Sequence, residues 1–108
     1  MKIISVPLTI EAMERLDTNS CIDGDLKELA LEGLDYEQLW KSGLFEELNK
    51  NLNIIIDDYE DEKIPLERLQ DAIKIVEEFP QKNGTKISSL LNLFRVALER
   101  KTGVFFYF

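Results

Sequence analysis

The side chains best equipped for chemistry in this chain lie between Ile54 and Glu62, IIIDDYEDE. Three β-branched apolar residues there run straight into Asp57, Asp58, Glu60, Asp61 and Glu62, with only Tyr59 interposed. Carboxylates at that density can hold a divalent cation, work as a general acid–base pair, or attract a basic partner. A calcium loop of the EF-hand type wants acids or amides at alternate positions, Gly at the sixth and Glu at the twelfth. Counted from Asp57, the third, fifth, sixth and twelfth places hold Tyr59, Asp61, Glu62 and Arg68, and only the fifth conforms. A looser site would use Asp57, Asp58 and Asp61. Catalytic carboxylates must face each other across a cleft, one of them in apolar surroundings that raise its pKa. Five acids crowded into an exposed segment are hydrated instead. Two readings remain for the stretch: a contact surface with Tyr59 as its anchor, or a solvated turn with Tyr59 packed inward.

Absences narrow the chemistry further. The chain has no histidine, which removes Ser-His-Asp and Cys-His catalysis and the two-His zinc motifs together. Cys21 is alone, so no internal disulfide forms. Its neighbours Asp23 and Asp25 oppose the thiolate that a nucleophile needs. The acids of DTNSCIDGD (Asp17, Asp23 and Asp25) follow no metal-loop spacing. The five glycines are scattered outside any phosphate-binding pattern. The residues therefore predict a protein that is no enzyme and uses no cofactor or metal.

Charge says what the partner should be. Thirteen basic and twenty-one acidic side chains leave a net charge of −8, and residues 1 to 79 hold twenty of the acids against eight bases. Such a field repels nucleic acid and anionic membranes, and it favours a basic protein. No apolar run approaches the about 18 residues of a membrane span, and the start MKIISVPLTIEAMERL lacks an export pattern, which predicts a cytoplasmic protein.

The elements that would carry these residues follow from periodicity. A length of 108 residues predicts a single domain, 1 to 108. KIISV reads as a strand stopped by Pro7, and Thr9 as the cap of a helix showing Ile10, Met13 and Leu16. Asp25 is placed to cap a helical turn in LKELALE that Gly33 ends. Asp35 and Gln38 have capping-box spacing for a helix with Tyr36, Leu39 and Trp40 on one face, Trp40 as a core residue. Gly43 interrupts that helix before Leu44, Phe45 and Leu48 resume the stripe. From there, Leu48, Leu52, Ile55, Ile56 and Tyr59 keep helical spacing. Asn49, Asn51, Asn53 and the β-branched run instead favour a stop and a brief extended segment, the preferred reading. Pro65 opens a helix burying Leu66, Leu69, Ile73, Val76 and Phe79. After a turn in QKNGT, Thr85 caps the strongest helix, with Ile87, Leu90, Leu91, Phe94, Ala97 and Leu98 inward, and Gly103 fits the left-handed residue beyond its end. VFFYF is apolar on both faces, so it reads as an inner strand paired with KIISV. The expected class is α+β: one helix-rich domain with four to five helices and a small sheet of N- and C-terminal strands.

With its heavy negative charge, its lack of a catalytic set and stretches such as LFEELN, DDYEDE and TGVFFYF, the chain resembles the small acidic immunity proteins that bacteria encode beside secreted toxins, those of contact-dependent growth inhibition included. The resemblance is one of whole-chain profile. It implies a binder that neutralises one cognate basic toxin, a nuclease, by covering its cleft, and that is a monomer or weak dimer when free. The residues it points to are Asp57, Asp58, Tyr59, Glu60, Asp61 and Glu62, followed by Asp23, Asp25, Glu46 and Glu47. A different class stays open: a structural or regulatory module that self-associates through an apolar face, for which an exposed VFFYF edge would speak.

Overall fold

The computed structural model describes residues 2–80 and 85–108, so most of the turn expected in QKNGT lies outside the described residues. The first strand, β1 (Lys2–Pro7), buries Ile4 and Val6 on one face. Thr9 then caps α1 (Ile10–Asp17) as its sequence predicts: the backbone is extended and Oγ1 accepts the Ala12 N–H at 2.9 Å.

The next segment differs from expectation. Leu26 to Leu31 is a strand, β2, paired antiparallel along the whole of β1 from Lys2↔Leu31 to Pro7↔Leu26. Leu, Lys, Glu and Ala are strong helix formers, but six residues of ladder plus burial of Leu31 beside Ile4 outweigh that local preference. Asp25 consequently caps no helix.

The helix α2 (Gly33–Ser42) begins at the glycine expected to end a turn. Its opening uses Asp35 from three residues inside, where Oδ2 accepts the Glu32 N–H at 3.3 Å. Gly43, at φ +87°, ends α2 and starts α3 (Leu44–Leu52), whose inner face is Leu44, Phe45, Leu48 and Leu52. Asn53 at φ +54° stops α3, so the helix does not run on to Tyr59, and residues 54–57 join neither helix nor ladder.

The acidic run is not all turn. Asp61 opens a strand, β3 (Asp61–Pro65), and Pro65 ends it as the extended cap of α4 (Leu66–Glu78) instead of being its first helical residue. Helix α5 (Ile87–Arg100) follows and buries Ile87, Leu90, Leu93, Phe94 and Ala97, so Leu93 takes the place expected of Leu91 and Leu98, which pack at the core's margin. Its left-handed end residue is Lys101, at φ +57°; Gly103 instead starts β4 (Gly103–Tyr107).

The four strands form one antiparallel sheet in the order β2-β1-β4-β3. β4 is thus an inner strand that pairs with β1 as expected, through Ile3↔Tyr107 and Ser5↔Phe105, and also with β3. Thr102 secures the crossing, its buried Oγ1 donating to the Pro7 carbonyl at 2.7 Å.

Alternation along the strands sorts the two faces. Ile4, Val6, Leu31, Ile64, Val104 and Phe106 join residues of α2 to α5 in the main core. Phe105, Tyr107, Lys63 and Asp61 point to the other face, where α1 contributes Met13, Leu16 and Asp17. With five helices among the described residues and a radius of gyration of 13.1 Å, against about 13 Å for one compact unit of this length, the architecture is the expected α+β. Among the described residues no helix is long and apolar enough to cross a membrane.

Candidate partner-binding surface

Residues 53–60 connect α3 to the edge strand β3, and the fold holds them at every step. The Asn49 side chain brackets Ile56, accepting its N–H at 2.7 Å and donating to its carbonyl at 3.0 Å. Glu62 reaches back so that Oε2 accepts the Ile55 N–H at 2.8 Å while Oε1 accepts the Lys63 N–H. The Tyr59 N–H donates to the Phe108 carbonyl at 3.0 Å, and the Glu60 N–H closes a turn on the Asp57 carbonyl. These bonds tie the connection to α3, to β3 and to Phe108.

Lys2 organises the side chains. Its ammonium lies 2.5 Å from Asp58 Oδ1 and 3.0 Å from the Phe108 carbonyl, and it stands over two rings, 4.9 Å from the centroid of Tyr36 and 5.5 Å from that of Tyr59. The Lys2 hydrogen bond, and then the nearby Tyr36 hydroxyl, hold the Asp58 carboxyl below the usual carboxylate range. Tyr36 sits beneath, and its hydroxyl is the one buried side-chain polar atom among the described residues that lies near a charge without closing a hydrogen bond. Burial pushes that hydroxyl up to about 12, and the neighbouring Asp58 charge adds to it. Tyr36 packs edge-on against Trp40 and Phe108, so a half-buried aromatic cluster backs the loop.

Tyr59 itself points outward. It is 94% exposed, and with φ at +63° it adopts a conformation that bulky residues rarely take. The solvated-turn reading expected this ring to pack inward; that detail is not met, and the ring is in solvent like the acids around it. Ile55, 64% exposed, is the second apolar side chain of the loop in solvent.

The acids divide into two groups. Asp58 and Glu62 hold the loop, and Asp57 accepts the Asp58 N–H at 2.7 Å. Glu60 and Asp61 are exposed and make no side-chain hydrogen bond or ion pair among the described residues, which leaves them to solvent or a partner. Among the described residues no three carboxylate or thiol side chains gather as a metal-holding group.

The second set of acids is dispersed. Asp25 is buried and receives two hydrogen bonds from Arg15, which makes it part of the fold rather than of a binding surface. Asp23 and Cys21 are exposed in the α1–β2 connection. Glu46 and Glu47 lie in the first turn of α3, and Glu47 lines a separate groove with Asn51, Ile75, Glu78 and Phe79. Lys2, Tyr36 and Phe108 belong to the site yet carry no local signal, because the tertiary fold alone brings β1, α2 and the residue after β4 to the loop.

Comparison of the chain with protein-family models, curated proteins and solved structures returns no match in any of the three.

Proposed function

We propose that this protein is a non-enzymatic inhibitor that binds a basic protein through the Tyr59 surface, and that its target is a cognate bacterial toxin of nuclease type, in keeping with the immunity-protein profile. The observation that carries this reading is Tyr59, held 94% exposed on a connection whose backbone the fold fixes on both sides. Exposing an aromatic ring to water in a strained conformation gives the free protein little beyond its contact with Lys2. It does suit an interface, where tyrosine anchors contribute much of the affinity and a pre-ordered loop lowers the entropy cost of binding. Asp57, Glu60 and Asp61, exposed within two residues of the anchor in sequence, give this end of the protein a negative charge, which speeds encounter with a basic cleft and stands there in place of nucleic acid phosphates. The self-associating alternative drew on an exposed VFFYF edge, and β4 lies between β1 and β3, so that support is lost.

Co-expression with the adjacent upstream gene tests the reading. The expected result is a one-to-one complex that survives moderate salt, with a neighbour that is toxic when expressed alone. A protein that elutes alone, as a dimer at raised concentration, would overturn it in favour of self-association.

A further inference from the structure

The outer face of the sheet is only partly roofed by α1. Between that helix and β3 runs a groove of about 390 Å³, lined by Leu16, Asp17, Asp61, Lys63, Phe105 and Tyr107. Two smaller hollows share Phe105 and Lys63 with it and continue it along the sheet past Met13 towards Pro65 and Gly103. The floor is aromatic, since Phe105 and Tyr107 turn their partly buried rings to this side. The mouth is acidic, with Asp17 at the end of α1 and Asp61 on the edge strand. Burial raises the Tyr107 hydroxyl pKa, and the charges of Asp61, Cys21 and Asp17 raise it further, so both carboxylates are felt at the floor. Lys63 is on the same face, yet among the described residues it forms an ion pair with neither acid.

We propose that this groove takes an arginine side chain from an extended basic segment of the partner, the guanidinium stacking on Phe105 and Tyr107 between Asp17 and Asp61. The assignment rests on the basic-partner reading above and extends it to a second contact. Arginine is preferred to lysine because a planar, weakly hydrated guanidinium can stack on a ring and offer forked donors to carboxylates at once. The groove also adjoins the first surface along the chain, as Asp61 is two residues from Tyr59.

The test is a titration followed by amide chemical shifts, with a hexa-arginine amide as probe and the uncharged, near-isosteric hexa-citrulline amide as control. Arginine peptide is expected to shift Leu16, Asp17, Asp61, Phe105 and Tyr107, with citrulline causing little change. The double variant Asp17→Asn and Asp61→Asn should weaken the effect at least tenfold; both side chains are exposed, and removing a negative charge from the end of α1 does not harm that helix. Equal shifts from both peptides, or arginine shifts that persist in the double variant, would overturn the proposal. Shifts confined to residues 57–60 would overturn the groove while leaving the Tyr59 surface intact. Shifts nowhere would also remove the groove, and the co-expression experiment would then decide separately whether a basic partner exists.

Discussion

Arg15 grips Asp25 with two charge-assisted hydrogen bonds, Nε to Oδ2 at 2.7 Å and Nη2 to Oδ1 at 2.6 Å, and Oδ2 also accepts the Ile22 N–H at 2.9 Å. This clamp fastens α1 to the start of β2. Arg15 first, and then the Ile22 N–H, lowers the Asp25 carboxyl to about 2. A folded pKa below the unfolded one means that the clamp's contribution is fully present above the unfolded value of about 3.9 and fades as pH falls towards 2. Asp25→Asn is therefore expected to lower the melting temperature by several degrees at neutral pH, with the gap to wild type closing under acid. A gap that stays constant from neutral pH down to acid would show that the carboxylate's charge is not what the clamp uses.

The end of α5 offers a pair of substitutions with opposite outcomes. Lys101 is held at φ +57°, a conformation costing a side chain about 1–2 kcal/mol that glycine escapes. At Gly103, the first residue of β4, an added Cβ would stand 3.0 Å from the Ile64 carbonyl oxygen of the neighbouring strand. Lys101→Gly should raise stability by up to about 1 kcal/mol, and Gly103→Ala should lower it by about 1–3 kcal/mol. Chemical denaturation of the two variants measures both signs.

That same pair shows where the sequence was legible and where it was not. Helical periodicity found α4 and α5 because each buries a continuous stripe, Leu69 to Val76 and Ile87 to Ala97. The inner position of β4 was legible from its two apolar faces. Local signals failed where long-range pairing decided: LKELAL is helical by composition and becomes β2 only through β1, and either Lys101 or Gly103 could end a helix until the approach of Ile64 is known. The acidic run was visible as a candidate site. Its division into clamps and free charges was not, because Lys2 and Phe108 are more than forty residues from it in sequence.

Tyr59 separates stability from binding. Tyr59→Ala keeps the strained backbone and loses the Lys2 contact, so its melting temperature should fall slightly. Tyr59→Gly relieves the strain and should melt at or above the wild-type temperature. Both should weaken partner binding by about 2 kcal/mol or more, some thirtyfold, as an interface anchor requires. Titration calorimetry beside melting curves tests this, and undiminished affinity in either variant would remove Tyr59 from the interface.

Lys2→Ala should release the loop without unfolding the sheet, since the ammonium acts at the periphery on Asp58, Phe108 and two rings. The Asp58 carboxyl is expected to titrate closer to the ordinary carboxylate range, because its largest depressing influence is gone. Hydrogen exchange at Tyr59 should quicken as well. Carboxyl titration followed by NMR, with exchange rates in the same sample, would reveal either change.

Charge reversal distinguishes acids that hold the loop from acids that face a partner. Glu60 and Asp61 make no side-chain bond to the fold among the described residues, so replacing both by Lys should leave the melting curve nearly unchanged. Association with a basic partner should nevertheless slow, on the order of tenfold at low salt, and lose much of its salt dependence, because rim charges act mainly on encounter. Reversing Asp58 and Glu62 is a different perturbation: it breaks the Lys2 pair and the bond to the Ile55 N–H, so stability should fall and the dissociation rate should rise as the pre-ordered loop is lost. Stopped-flow association at several ionic strengths, run on both pairs, separates the two effects. If the Glu60 and Asp61 reversal left the association rate and its salt dependence unchanged, the negative field around Tyr59 would have no part in recognition.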